Sequence, residues 1–290
     1  MIHWLWLVPA LPLAGFLLLA LAGSRLKQKT VAYTGTLATG LSALVSVGVA
    51  LDFLIVPAGN FQFQQSLWKW FSIGNFSPEI SLYLDALSLI FMLVITVVGF
   101  LIHLYSTAFM KGEAGYARFF AYMNLFVGSM LLLVLSENLL FLYLGWEAVG
   151  LCSYLLIGFW YRDKANGLAA RKAFIVTRVG DTMMAIGLFL IFQALGTLNI
   201  QEVITRLPAE FASGDPLPVA AALMLLGGAV GKSAQLPLQV WLPDAMAGPS
   251  PVSALIHAAT MVTAGVYLIA RTYAVFELAP RVPTLTAAIG

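Results

Sequence analysis

Five ionisable residues, Glu147, Arg178, Asp181, Lys232 and His257, stand inside apolar runs long enough to cross a bilayer. Each such group costs about 2.5–3.5 kcal/mol to place at membrane depth, so each is a functional candidate. Carboxylate, lysine and histidine together suit stepwise proton transfer along hydrated side chains. Ion coordination is the close second. There is no nucleophile–base constellation and no cofactor-binding motif to suggest other chemistry.

Local sequence sharpens each candidate. Glu147 lies in GWEAVGLCSYLLIGFWYRDK (145–164). It must face a neighbouring helix, water or a cation, and Gly145 and Gly150 permit close helix approach. The plainer reading is a neutral carboxyl hydrogen-bonded for packing. Arg178 and Asp181 are three residues apart, share a helix face and can pair. They serve either as a functional couple or only to make two charges tolerable. Lys232 follows the small-residue run GGAVG, with Pro237 five residues later. That pattern marks a helix that breaks inside the membrane. Desolvation disfavours the ammonium form of a buried lysine and readies it for proton exchange. The alternative is a lysine that snorkels to the surface. His257, in HAATMV, has an ordinary titration range that suits a relay. Ser253 and Thr260 offer hydroxyls beside it, and the alternative is a packing histidine. A glutamate–lysine pair such as Glu147 and Lys232 works as a switch, because separating the pair lowers the lysine's hold on its proton.

Other residues are set aside. Asp85, Glu137 and His103 lie nearer the ends of apolar runs, and His103 and Cys152 read as packing residues. GKS at 231–233 lacks the phosphate-loop glycine five positions earlier, where Leu226 stands. One cysteine excludes an internal disulfide framework and a multi-cysteine metal or iron–sulfur site. No histidine or cysteine has metal-ligand spacing to His257.

The elements that hold these residues follow from composition. The 290 residues are 61% hydrophobic and 10% charged, with a mean hydropathy of +0.92. Soluble domains carry about 25% charge. A net charge of +2 is too small and scattered for a nucleic-acid partner. The expected fold is an all-α polytopic helix bundle of about eight transmembrane helices in the lipid bilayer. The runs are roughly 3–22, 31–51, 82–109, 116–135, 138–160, 169–195, 217–240 and 252–271. Continuous rather than alternating hydrophobicity excludes a β-barrel. The longest connections are 57–81 and 196–216. Trp68, Trp70, Phe71 and Phe76 place the first at headgroup level.

Charge order gives an orientation. Segments 23–30, 110–118, 161–172 and 241–251 would share one side and carry nine of the 15 Lys and Arg residues. The opposite segments carry four. The basic-rich side is expected inside, with the N-terminus outside. The first run has no preceding basic residue and does not read as a signal peptide.

Two segments carry a resemblance: LGWEAVGLCSYLLIGFWYRDKANGLAARKAFIVTRVGD (144–181) and GKSAQLPLQVWLPDAMAGPSPVSALIHAATMVTAGVYLIAR (231–271). They resemble the antiporter-like membrane subunits of respiratory complex I, NADH:quinone oxidoreductase, most closely the distal subunit L type. The resemblance implies three N-terminal helices (1–115), a five-helix antiporter-like repeat with a broken seventh helix (116–275), and the start of a ninth helix (276–290). It implies that Glu147, Lys232 and His257 match the family's glutamate, broken-helix lysine and connecting histidine. Asp181 with Arg178 would match its modulating pair.

The implied function is proton translocation coupled to electron transfer from NADH to quinone. NADH, FMN, iron–sulfur clusters and quinone are then expected on partner subunits, with none on this chain. The implied partners are other membrane-arm subunits, and the implied location is a bacterial inner membrane or an equivalent energy-coupling membrane. The family continues with a second repeat and a long lateral helix, so the chain is expected to correspond to the first half of a longer one. The large subunit of multi-subunit sodium/proton antiporters shares the WLPDAM region (241–246). It carries a lysine where this chain has Thr263, which favours the complex I type.

Overall fold

The structure, a computed structural model, describes residues 1–55, 61–74 and 77–290. The chain opens with α1 (Leu7–Ala22) and α2 (Gln28–Ile55). A hairpin follows, β1 (Phe63–Lys69) and β2 (Glu79–Leu84). Next come α3 (Ala86–Phe109), α4 (Tyr116–Val134), α5 (Leu139–Ile157) and α6 (Lys164–Leu195). The remainder is α7 (Ile200–Glu210), α8 (Pro216–Lys232), α9 (Ser250–Arg271), α10 (Tyr273–Glu277) and α11 (Val282–Ile289).

Among the described residues, seven helices are long and apolar enough to span a membrane. The seventh expected span, 217–240, is shorter. The helix α8 ends at Lys232 after 17 residues, and two short 3₁₀ turns follow. The break falls where glycines and Pro237 predict it. Ala234 sits just past it in the left-handed region, at φ 52°, an uncommon conformation for a residue with a side chain. The freed carbonyls still find donors. Ser233 N–H donates to Ala229 and Gln235 N–H to Val230. The Trp241 indole N–H reaches Gly231 O at 3.1 Å.

Two connections hold more structure than hydropathy suggests. Segment 57–81 contributes β1 and the start of β2. These strands pair antiparallel with Phe63 opposite Leu84 and Lys69 opposite Glu79. The alternation Phe61-Gln62-Phe63-Gln64 was the available strand signal. The third span therefore starts at Ala86, capped by Asp85 and Ser88 in a reciprocal capping box. Trp68, Trp70 and Phe71 are exposed on the hairpin side of the bundle. Phe76 lies outside the described residues. The other connection, 196–216, contains α7, capped by Asn199, whose side chain accepts from Gln201 N–H and Glu202 N–H.

The two sets of connections gather at opposite ends. At one end, a groove brings Gly23, Ser24 and Gln28 against Gly115 and Arg118. There also Lys172 pairs with Asp244 at 2.6 Å. At the other end, Arg271 grips Asp85 with two hydrogen bonds of 2.6 and 2.9 Å. Trp6 N–H there meets Gln65. The four basic-rich segments thus share one end of the bundle.

Glu137 ties the hairpin end together. Its carboxylate accepts from Gln64 on β1, Ser81 on β2 and Asn199 at the start of α7. Burial, with Glu79 and Glu202 nearby, pushes this carboxyl above the usual glutamate range, against the pull of the Asn199 amide. A raised native pKa means a contribution to stability that is present in acid and fades as pH rises through that pKa. Glu137→Gln should therefore flatten the pH dependence of thermal unfolding above the ordinary glutamate range. Glu137→Leu should cost about 1–3 kcal/mol for each donor left without an acceptor. Faster amide hydrogen exchange across 63–69 would report that loss.

Candidate functional site

Among the described residues, α6 and α8 share the most extensive helix contact. Small residues make it possible. A Cβ on Gly180 would fall 2.9 Å from both the Gly227 oxygen and the Gly231 Cα. This approach sets Lys232, the last residue of α8, against Asp181, one residue after Gly180. Lys232 Nζ lies 3.3 Å from Asp181 Oδ2, and both side chains are 1% exposed. A cation at a helix C-terminus also meets the favourable end of the helix dipole.

Asp181 is served from several directions. The indole N–H of Trp146 donates to Oδ1 at 2.7 Å. The Tyr143 hydroxyl donates to the Asp181 backbone oxygen at 3.3 Å. Arg178, three residues back on α6, approaches Oδ2 at 3.9 Å. Lys232 and Arg178 therefore converge on the same oxygen. Gly150 on α5 makes room for this, because a Cβ there would sit 2.6 Å from Lys232 Nζ.

Glu147, on α5, is ion-paired with Arg178. The arrangement is a row: Glu147, Arg178, Asp181, Lys232. The lysine's direct partner is Asp181, and Glu147 reaches it only through Arg178. The row also runs from the bundle surface inward. Side-chain exposure is 38% at Arg178 and 21% at Glu147, against 1% for the two inner members.

His257 lies beyond, in a π-helical stretch of α9, Ala254–Ala259. Both ring nitrogens are buried with no hydrogen-bond partner among the described residues. Its ring centroid is 5.8 Å from that of Trp241, the residue bonded to Gly231 beside Lys232. Thr260 does not supply the expected free hydroxyl, because it donates to Leu255 O at 2.6 Å. A π-turn leaves carbonyls out of the regular ladder, and this one takes the hydroxyl.

Trp146, Tyr143 and Trp241 are the members that sequence reasoning missed. Trp146 and Trp241 carried a usable signal, since a buried indole needs an acceptor for its N–H. The other candidates read as packing residues behave differently. His103 is fully buried, with Nδ1 2.8 Å from Gly99 O and Nε2 facing the Asn124 amide at 3.4 Å. Cys152 is a buried free thiol.

A buried ion pair that loses one partner typically costs about 3–5 kcal/mol, whereas removing both partners costs less. Asp181→Leu should therefore destabilise the protein in detergent by roughly that amount. The double variant Asp181→Leu/Lys232→Met should recover part of it. Thermal unfolding of the three proteins gives the coupling directly, and strict additivity would place the two residues in separate environments.

Residues 136–290, which hold all five candidates, match the family "NADH:quinone oxidoreductase/Mrp antiporter, TM". Residues 70–120 match "NADH-Ubiquinone oxidoreductase (complex I), chain 5 N-terminus". NADH-quinone oxidoreductase subunit L of Escherichia coli K12 is 57% identical over 280 residues, covering 97% of this chain and 45% of the relative. The Pseudomonas aeruginosa subunit L is 58% identical over 279 residues, with 96% and 45% coverage. The chain thus spans about half the length of the curated relatives it matches. A solved Mrp complex from Dietzia superposes with a TM-score of 0.77 at 30% identity, over 96% of this chain and 29% of that one. An archaeal membrane-bound sulfane sulfur reductase shares the fold, with a TM-score of 0.78 at 22% identity, over 99% and 56%. The chain belongs to the NADH:quinone oxidoreductase/Mrp antiporter transmembrane family.

Proposed function

We propose that this chain moves protons across an energy-coupling membrane as part of a redox-driven NADH:quinone oxidoreductase, with Asp181, Lys232 and His257 as the relay and Glu147 and Arg178 as its control. The observation that carries this reading is the shared oxygen. Lys232 and Arg178 both approach Asp181 Oδ2, while Glu147 holds Arg178 from the other side. Neutralising Glu147 frees Arg178 to move onto Asp181. Lys232, 1% exposed, then loses its buried counter-charge, and its proton leaves more readily. Restoring the charge on Glu147 draws Arg178 back and lets Lys232 reload. His257, with neither ring nitrogen bonded among the described residues, is the next acceptor through water, past Trp241. Electron transfer through NADH, FMN, iron–sulfur clusters and quinone on partner subunits would supply the energy for this cycle.

Partners are also implied by exposure. Arg178 sits partly exposed at membrane depth, on a face with Leu144, Leu151, Ile175, Val179 and Ile186 exposed, while the carboxylate oxygens of its partner Glu147 are buried. A charge facing hydrocarbon is costly, so this face suits contact with another membrane-arm subunit. The repeat at 116–275, with 1–115 before it and a further helix entering at 276–290, belongs to the same proposal. So do a bacterial inner membrane and an outside N-terminus, which the basic-rich end supports.

The test uses the full-length chain assembled in its complex and reconstituted in vesicles. Lys232→Met should remove most of the NADH-driven proton uptake while assembly and electron transfer to a soluble acceptor persist. Normal pumping in an assembled Lys232→Met complex would remove Lys232 from the mechanism. The second reading, a component like the large subunit of a multi-subunit sodium/proton antiporter, is supported by the likeness to the Mrp complex. It requires proton movement driven by a sodium gradient without NADH or quinone, which the same vesicles can measure.

A further inference from the structure

The basic-rich end holds a second charged centre, well away from the relay. Arg118, in the first turn of α4, folds its guanidinium back over the start of its own helix. A Cβ on Gly115 would meet its Nη2 at 3.1 Å and its Cζ at 3.3 Å. Gly115 also has a left-handed backbone, at φ 86°. Glycine therefore answers two demands there, conformation and space.

That position is electrostatically awkward. The N-terminus of a helix carries the positive end of its dipole, and its first amides need acceptors. Among the described residues, no side chain caps α4 and none in its first turn is acidic. A cation is stacked there instead. Among the described residues no carboxylate pairs with Arg118. The guanidinium meets the Phe159 carbonyl, at 3.2 Å, and the faces of Phe159 and Tyr161, at 5.0 and 4.9 Å. Arg162 adds a second cation. A hydrogen bond from Arg118, then the charges of Arg118 and Arg162, hold the exposed Tyr161 hydroxyl below the usual phenol range. Arg118 and Arg162 line one cleft of about 490 Å³, with Glu113 and Asp163 also on its wall. Glu113, at the rim, accepts instead from the Trp160 indole at 3.3 Å.

Two grooves leave this point along the bundle. One, of about 560 Å³, runs between α1, α2 and α4 and is walled by Leu19, Leu26, Val31 and Ala121. The other, of about 180 Å³, runs between α4, α5 and α6 beside Tyr122, Leu155 and Ala170. Arg118 lines both. An anion at the fork, with apolar chains down both sides, matches this shape and charge.

We propose that Arg118, Arg162 and the uncapped start of α4 bind the phosphate of an anionic phospholipid, whose acyl chains occupy the two grooves. The phosphate supplies the acceptor that the first-turn amides lack and offsets the cation placed on the positive end of the helix. Basic pockets between membrane helices are suited to such headgroups.

The test is native mass spectrometry of the purified, delipidated full chain titrated with phosphatidylglycerol, phosphatidylcholine or inorganic phosphate. Phosphatidylglycerol should bind the unaltered protein in preference to phosphatidylcholine. Arg118→Gln should weaken it roughly tenfold, the value of one charge-assisted hydrogen bond. Arg162→Gln leaves the Arg118 stacking in place and should weaken binding severalfold, which covers failure of Arg118→Gln to fold. Arg171→Gln, exposed at the same end but outside the grooves, should leave binding unchanged. Equal binding to the Arg162→Gln and unaltered proteins would overturn the proposal. So would an equal loss in Arg171→Gln, equal affinity for phosphatidylcholine, or phosphate binding as tightly as the lipid.

Discussion

A carboxylate buried among membrane helices has to find donors, and Asp181 is the carboxylate on which three helices of this bundle converge. Three helices contribute to it. The helix α5 brings the Trp146 indole and the Tyr143 hydroxyl, α6 brings Asp181 itself and Arg178, and α8 brings Lys232. Each contribution demands a particular distance between helix axes. The glycines at 150, 180, 227 and 231 are the residues that permit those distances. The polar row and the close packing are thus one feature seen twice. Without the glycines the lysine could not reach, and without the ion pair the lysine could not be buried.

The same logic explains why the row is graded. Its inner members are fully enclosed: several donors meet Asp181, while Lys232 relies on Asp181. Its outer members, Arg178 and Glu147, are less enclosed as side chains, although the Glu147 carboxylate oxygens are themselves buried, and they rely on each other. The proposed proton transfer would need that asymmetry. A relay in which every group held a fixed, ideal partner would have no reason to move a charge. Here one oxygen is claimed by two cations, and one of those cations is claimed by a second carboxylate.

Much of this was legible in the sequence, for a reason particular to membranes. Charge is so costly there that rarity itself is informative, and Glu147, Arg178, Asp181, Lys232 and His257 stand out by depth alone. The end of α8 was legible too, because glycine and proline act through local backbone physics. What sequence did not reveal was partner choice. Glu147 and Lys232 look like a pair by type, yet Asp181 sits between them, since pairing depends on helix rotation that hydropathy does not encode. Trp146 and Trp241 were hidden for another reason, as an aromatic in an apolar run reads as packing. The hairpin and α7 were missed because hydropathy windows tuned to 20-residue spans pass over short elements. Alternation at Phe61–Gln64 and the Asn199 cap were the only local traces.

The shortness of α8 has an electrical side. Seventeen helical residues cover about 25 Å, less than the roughly 30 Å of a hydrocarbon core. From Lys232 onward the route to the basic end runs through turns, and Asp244 is already at that surface, paired with Lys172. If Lys232 carries protons as proposed, a proton leaving it toward the hairpin end would have the length of α8 still to cross, and with it most of the about 2.3 kcal/mol per 100 mV that a full crossing costs.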